Sequence, residues 1–226
     1  RTRAVMSRRW LDEETAAGLG RLDPEAIERV RAEAWPVATN ADELHDALLG
    51  LAFVTEEEVS RNDQWPRFLA ELTEAGRVTR FAVQPSGAEA SATSERAMWI
   101  AAERLPQFAS LFPHAHHSPP IVAPAEFGAR AWTVEEALVE IIRSRLEGLG
   151  PVTALALADS MALPLADIDS ALTKLATEGF AMRGAFTSGL YRNIDIVLPE
   201  GTVISALPPD GAVFAYYEQS QVMLSA

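Results

Sequence analysis

Apolar residues return at helical spacing in four successive stretches along the first half of this chain. In "LDPEAIERVRAEAWP" (residues 22–36) Ile27, Val30 and Ala34 share one face. Asp23 is placed to cap the helix, Pro24 suits its first position, and Pro36 ends it. After "TNADE", with Asn40 as cap, Leu44, Leu48 and Leu51 form a second stripe. "VTEEEV" opens a third helix behind Thr55, its three glutamates lying in the first turn, where the helix dipole favours them. "WPRFLAELTEAG" is the fourth, with Gly76 as its left-handed stop. The period then changes to two. "RVTRFAV" alternates as a strand, "QPSGAEASATSE" is a polar turn region, and "RAMWIAA" returns as a second strand.

The same order recurs after a segment with four prolines and three histidines. "TVEEALVEIIRSRLEGLG" predicts a long amphipathic helix capped by Thr133, with Glu136 at the capping-box position. "VTALALADSMAL" opens on Thr153, "PLADIDSALTKLATEG" buries Ile168, Leu172 and Leu175 before Gly179, and "FAMRGAF" is the next strand. The phrase "LTKLATEGFAMRG" thus repeats "LAELTEAGRVTRF", with Gly179 and Arg183 in the places of Gly76 and Arg80. Three helices followed by a two-stranded hairpin is winged-helix order. The expected class is therefore mainly α with small β hairpins (α+β), holding two winged-helix-like units in tandem. Residues 1–112 would hold a helical lead-in and the first unit, 113–131 a connector containing Pro and His, 132–189 the second unit, and 190–226 a divergent β-rich tail. In that tail "NIDIVL" and "TVISAL" read as two strands around "PEG".

Composition narrows what such a protein can do. Its 226 residues, 48% hydrophobic and 23% charged, suffice for one large or two small domains with real cores. No apolar run approaches the ~20 residues that cross a bilayer, and the basic start lacks the apolar stretch of a signal peptide, so no membrane partner and a cytoplasmic location are expected. Without cysteine there are neither disulfides nor thiolate metal sites. The net charge of −13 argues against a surface coated for nucleic acid, although the acid concentrates in residues 12–58 and the windows 61–80 and 143–192 are nearly balanced.

Within those windows lie the groups suited to phosphate: arginines, and helix starts whose amides point outward. In the first unit these are Arg67, Arg77 and Arg80, with Trp65 as a candidate to stack on an unpaired base; in the second they are Thr153, Lys174 and Arg183. The bland alternative makes Trp65 a core plug and the arginines partners of surface glutamates. "HAHH" (His114, Ala115, His116 and His117) suggests zinc, but a closed site needs about four ligands, no second cluster stands out, and a solvated linker is the expectation. There is no phosphate-binding loop, dinucleotide fingerprint or nucleophile elbow, and the sequence shows no catalytic constellation.

Several ordered stretches resemble the accessory region of the large helicase-related (Lhr) family of superfamily 2 ATP-dependent DNA helicases. They are "RRWLDEETAAGLGRLDPEAIERVRAEAWP", "ADELHDALLGLAFVTE", "MWIAAERLPQF", "RSRLEGLGPVT" and "ALTKLATEGFAMRGAF", together spanning about residues 1–189. The resemblance implies a DNA-associated winged-helix region that helps grip the tracking strand, with single-stranded or tailed duplex DNA and the helicase motor domains as partners. It also implies no cofactor in this chain, since ATP and Mg would belong to motor domains whose motifs this sequence lacks. A protein–protein interaction module built from winged helices, with no DNA binding of its own, is the alternative, and the acidic charge favours it. The likeness ends after "RGAFTSG"; the tail, with no basic residue beyond Arg192, is similar over "PEGTVISALPP" to hydantoinase B/oxoprolinase-type enzymes.

Overall fold

The computed structural model describes residues 24–84, 95–184, 194–197, 203–206 and 213–216. It is an α+β protein whose first half runs α1 (Pro24–Ala34), α2 (Ala41–Leu51), β1 (Val54–Thr55), α3 (Glu56–Ser60), α4 (Trp65–Glu74), β2 (Val78–Val83) and β3 (Arg96–Ala101). A 3-10 turn at Ala102–Arg104 leads to α5 (Leu105–Leu111), β4 (His116–Ser118) and α6 (Ala125–Gly128). The second half runs α7 (Val134–Leu149), β5 (Val152–Thr153), α8 (Ala154–Met161), α9 (Leu165–Thr177), β6 (Ala181–Gly184), β7 (Ile194–Val197), β8 (Val203–Ala206) and β9 (Val213–Tyr216).

Local chemistry sets these boundaries largely where the residue pattern puts them. The Asn40 side chain accepts the Glu43 amide at 2.9 Å, and Thr153 accepts that of Ala156 at 3.1 Å. Thr133 and Glu136 close a reciprocal capping box, as do Thr55 and Glu58. Both α4 and α9 end in the same motif. Gly76 and Gly179 take φ of +68° and +76°, and the next amides, Arg77 and Phe180, each reach back 2.9 Å to the carbonyls of Leu72 and Leu175. That backward bond requires a left-handed residue, which glycine adopts without a Cβ clash. Asp23, expected as the cap of α1, lies outside the described residues. Val30, expected on the buried face of α1, is 53% exposed, while Ile27 is buried. A stripe at helical spacing is buried only where a neighbour covers it, and α1 is covered on a narrow strip alone.

The two halves share a strand order. In the first, β3 lies between β1 and β2, antiparallel to both; in the second, β9 lies between β5 and β6 in the same way. The central strand of the second sheet thus comes from the divergent tail, past the boundary expected at residue 189. The segments "NIDIVL" and "TVISAL" pair as β7 and β8 in a separate antiparallel hairpin, Ile196 opposite Ile204, lying in sequence between β6 and β9. Residues 113–131 are likewise more than a connector. β4 joins the edge of β2, His117 lies opposite Phe81, and the Thr79 hydroxyl donates to the Pro119 carbonyl at 2.6 Å. Within "HAHH", His116 and His117 therefore belong to a strand, while His114 and His116 stay exposed to solvent: the edge of β2 offered unpaired amides and carbonyls, and backbone pairing claimed them.

The β2–β3 pair divides two apolar cores. Phe81, Val83, Met98 and Ile100 face one way, into a core completed by Phe108, by Ile141 and Ile142 of α7, and by Ile168 and Leu172 of α9. Val78 and Ala101 face the other way, toward Leu44 and Leu48 of α2 and Phe68 and Leu72 of α4. Strand periodicity of two does this sorting, and the larger core draws on both halves of the chain.

Arg145 of α7 fastens the halves together. Its side chain is 2% exposed, and it donates to the Phe53 carbonyl at 2.9 Å and to Glu58 Oε1 at 2.5 Å. The guanidinium lies over the Phe53 ring at 4.4 Å. The other carboxylate oxygen of Glu58 accepts the Thr55 amide at 2.8 Å, so one glutamate both caps α3 and anchors α7. Removing one member of a buried pair strands the other charge. Arg145→Ala is accordingly expected to lower stability by ~3–5 kcal/mol. Arg145→Met combined with Glu58→Gln should lose less than that single change, because no ion is then left buried. Urea unfolding of the two variants makes the comparison, and a larger loss in the double variant would contradict this account.

Candidate nucleic-acid interface

Trp65 begins α4, where its ring falls on the apolar stripe with Phe68, Leu69 and Leu72. It is 2% exposed and stacks on Trp35 with centroids 6.1 Å apart. The base-stacking role considered for it is corrected by this burial: both ring faces serve the core, and no face is offered to a nucleotide.

Those cations expected to meet phosphate whose side chains are described, Arg67, Arg77, Arg80 and Lys174, each close on a carboxylate. Arg67, on the exposed side of α4, reaches Glu71 one turn on at 3.5 Å and rests over Phe68 at 5.0 Å. Arg80 is directed by the pleat of β2 to the sheet face it shares with Trp99, its partner in register. There its Nε donates to Glu56 at 2.6 Å and NH1 to Glu95 at 3.4 Å. The hydrogen bond to Glu56 raises the Arg80 pKa against the opposing effect of burial, and Glu95 adds to the rise. Lys174 of α9 reaches Glu135 of α7 at 3.1 Å. Thr153 spends its hydroxyl oxygen on the cap of α8, and β5 pairs there with β9. Arg183 stands opposite Phe214 in the β6–β9 ladder; its side chain lies outside the described residues.

Arg77 belongs to a longer chain of contacts. NH1 donates to Asp42 at 2.5 Å and NH2 to His45 Nδ1 at 2.8 Å, while His45 Nε2 meets Glu103 Oε2 at 3.2 Å. Arginine can only donate, so Nδ1 is the accepting nitrogen and Nε2 carries the proton given to Glu103. This row ties α2 to the turn after β3 and holds Arg77 in place.

Residue types alone did not single out two structural arginines. Arg145 stands on the apolar stripe of α7 with Leu138, Ile141 and Ile142, and that position within "RSRLEGLG" was the available signal. Arg104 donates to the Leu49 carbonyl, to Gln107 at 3.1 Å and to Ser144 at 3.0 Å, and burial lowers its pKa. Their role is to join elements.

Among the described residues, no group of three or more His, Asp or Glu side chains is arranged to hold a metal ion, and no helix is long and apolar enough to cross a membrane. No family model and no curated protein matches this chain.

The Arg77 contact makes Asp42 a reporter. Hydrogen bonding to Arg77, then the charge of Arg77, holds the Asp42 carboxyl below the ordinary aspartate value. A depressed folded-state pKa contributes stability above the unfolded value, and that contribution is lost as pH falls through the folded one. An NMR titration of the Asp42 carboxyl is expected to show the depression in the parent chain, and Arg77→Gln is expected to abolish it. An unchanged titration in the variant would mean that Arg77 is free for other partners.

Proposed function

We propose that this chain is a nucleic-acid-binding accessory segment of an Lhr-type ATP-dependent DNA helicase, made of two winged-helix units and lacking the ATPase motor. The observation that carries the reading is the repeated strand order: helix, strand, two helices, then strands, with β3 between β1 and β2 in the first half and β9 between β5 and β6 in the second, where the β7–β8 hairpin intervenes. The ordered sequence stretches that resemble the Lhr accessory region support it from a separate direction.

Phosphate binding would proceed by exchange. Arg67, Arg80 and Lys174 have side chains 72%, 41% and 43% exposed, and exposed ion pairs contribute only ~0–1 kcal/mol. A phosphate oxygen can displace such a carboxylate at little cost, so the pairing tunes affinity downward without closing the surface. DNA would be positioned through its backbone, with no base stacked on Trp65 and no base-specific readout. ATP and Mg would act only in motor domains joined to the segment.

A second reading makes the chain a protein-interaction module with no DNA binding of its own. One observation favours it: each described cation of the expected site already has a carboxylate partner, in a chain of net charge −13.

Fluorescence anisotropy of labelled single-stranded and tailed duplex DNA, titrated with the chain at 50 and 200 mM salt, separates the two. The first reading expects binding at low salt that weakens steeply at high salt, as counterion release requires, and further weakening in Arg80→Ala with Arg183→Ala. Absence of binding to either DNA at low salt would contradict it and leave the protein-interaction reading standing.

A further inference from the structure

We propose that the groove bounded by α3, α4 and Trp99 of β3 docks a partner-protein segment that carries basic residues beside an apolar anchor. This surface adjoins the proposed phosphate contact at Arg80, with which it shares Glu56, and goes beyond the DNA-binding reading. The groove has a volume of about 600 Å³. Val59 and Leu69 form its floor, with Pro66, Ala70 and Trp99 along its walls. That lining is apolar enough to take an aliphatic or aromatic side chain, and wide enough for more than one.

Charge defines the chemistry of the occupant. Among the described residues that line the groove, Glu56 and Glu74 alone are charged. Glu56 is shared with Arg80 at the edge, whereas Glu74 makes no ion pair with any described residue. With Glu56 already paired to Arg80, the carboxylate of Glu74 is the one that attracts lysine or arginine and disfavours a phosphate backbone, so charge complementarity favours a basic polypeptide over nucleic acid. α4 would thus present its groove side to protein, while Arg67 and Arg80 lie on neighbouring surface.

Selection from an unbiased library of displayed 12-residue peptides tests this directly. Enriched peptides are expected to place Lys or Arg beside an aromatic or aliphatic anchor. A labelled synthetic copy of the strongest should bind the full chain at least tenfold more weakly after Ala70→Trp, which fills the groove. Glu74→Lys should weaken it about fivefold, the worth of one exposed charge contact. Ala70 and Glu74 are both exposed, so both variants are expected to unfold at the parent's urea midpoint. The absence of any consensus, an acidic consensus, or binding that survives Ala70→Trp would each overturn the proposal. Displacement of the peptide by single-stranded DNA would assign the groove to nucleic acid and overturn it equally. None of these outcomes depends on whether DNA binds elsewhere on the molecule.

Discussion

A buried guanidinium has to be surrounded by acceptors, and that requirement organises this molecule. Arg145 sits where α7 meets the chain between α2 and α3, and it draws in the Phe53 carbonyl and the Glu58 carboxylate. Glu58 is then committed twice, to Arg145 and to the Thr55 amide. The start of α3 and the middle of α7 are therefore fixed by one carboxylate. Arg104 repeats the principle nearby, linking the Leu49 carbonyl of α2 to Ser144 of α7. Both arginines donate into fixed backbone oxygens, which demands one relative placement of the helices. Apolar packing alone would be less exacting, because hydrophobic burial has no direction.

The β2–β3 pair extends that constraint into the cores. Its two faces serve different helix sets, so a shift of one residue in pairing would exchange Phe81 and Met98 with Arg80 and Trp99. A charged group would then enter the larger core, and the register is specified accordingly. The outer surface follows a different rule. Arg67 and Lys174 are long, exposed and each met by a single carboxylate, a condition suited to exchange of partners. Arg80 and Arg77 are held more firmly, the first by Glu56 and Glu95 and the second by Asp42 and His45.

Much of this architecture could be read from the residues. Helix caps at Asn40, Thr55, Thr133 and Thr153 and glycine stops at Gly76 and Gly179 are local signals, set within a few residues, and local chemistry decided them. The stripes of α2 and α9 were legible because each is buried along its length. Three features were not. Val30 kept helical spacing, but no described element covers it, and coverage is a property of the tertiary arrangement. β4 arose from a histidine segment with no strand-like alternation, because the free edge of β2 recruited its backbone rather than its side chains. β9 came from the tail read as divergent, because the edges of β5 and β6 pair with backbone that the chain supplies from farther along, whatever its side chains. For the candidate site, residue type located the cations correctly on the elements. It could not show that Trp65 was enclosed by Trp35, or that Asp42 and Glu56, distant in sequence, would come to meet Arg77 and Arg80.

The claim on which the rest stands is that the two halves form one cooperative body, through a shared core and the Arg145–Glu58 pair. Differential scanning calorimetry of the full chain tests it most directly. The account predicts a single transition whose calorimetric and van't Hoff enthalpies agree. Two resolved transitions, each with the enthalpy of about half the chain, would contradict it, and would make the halves independent units that merely adjoin.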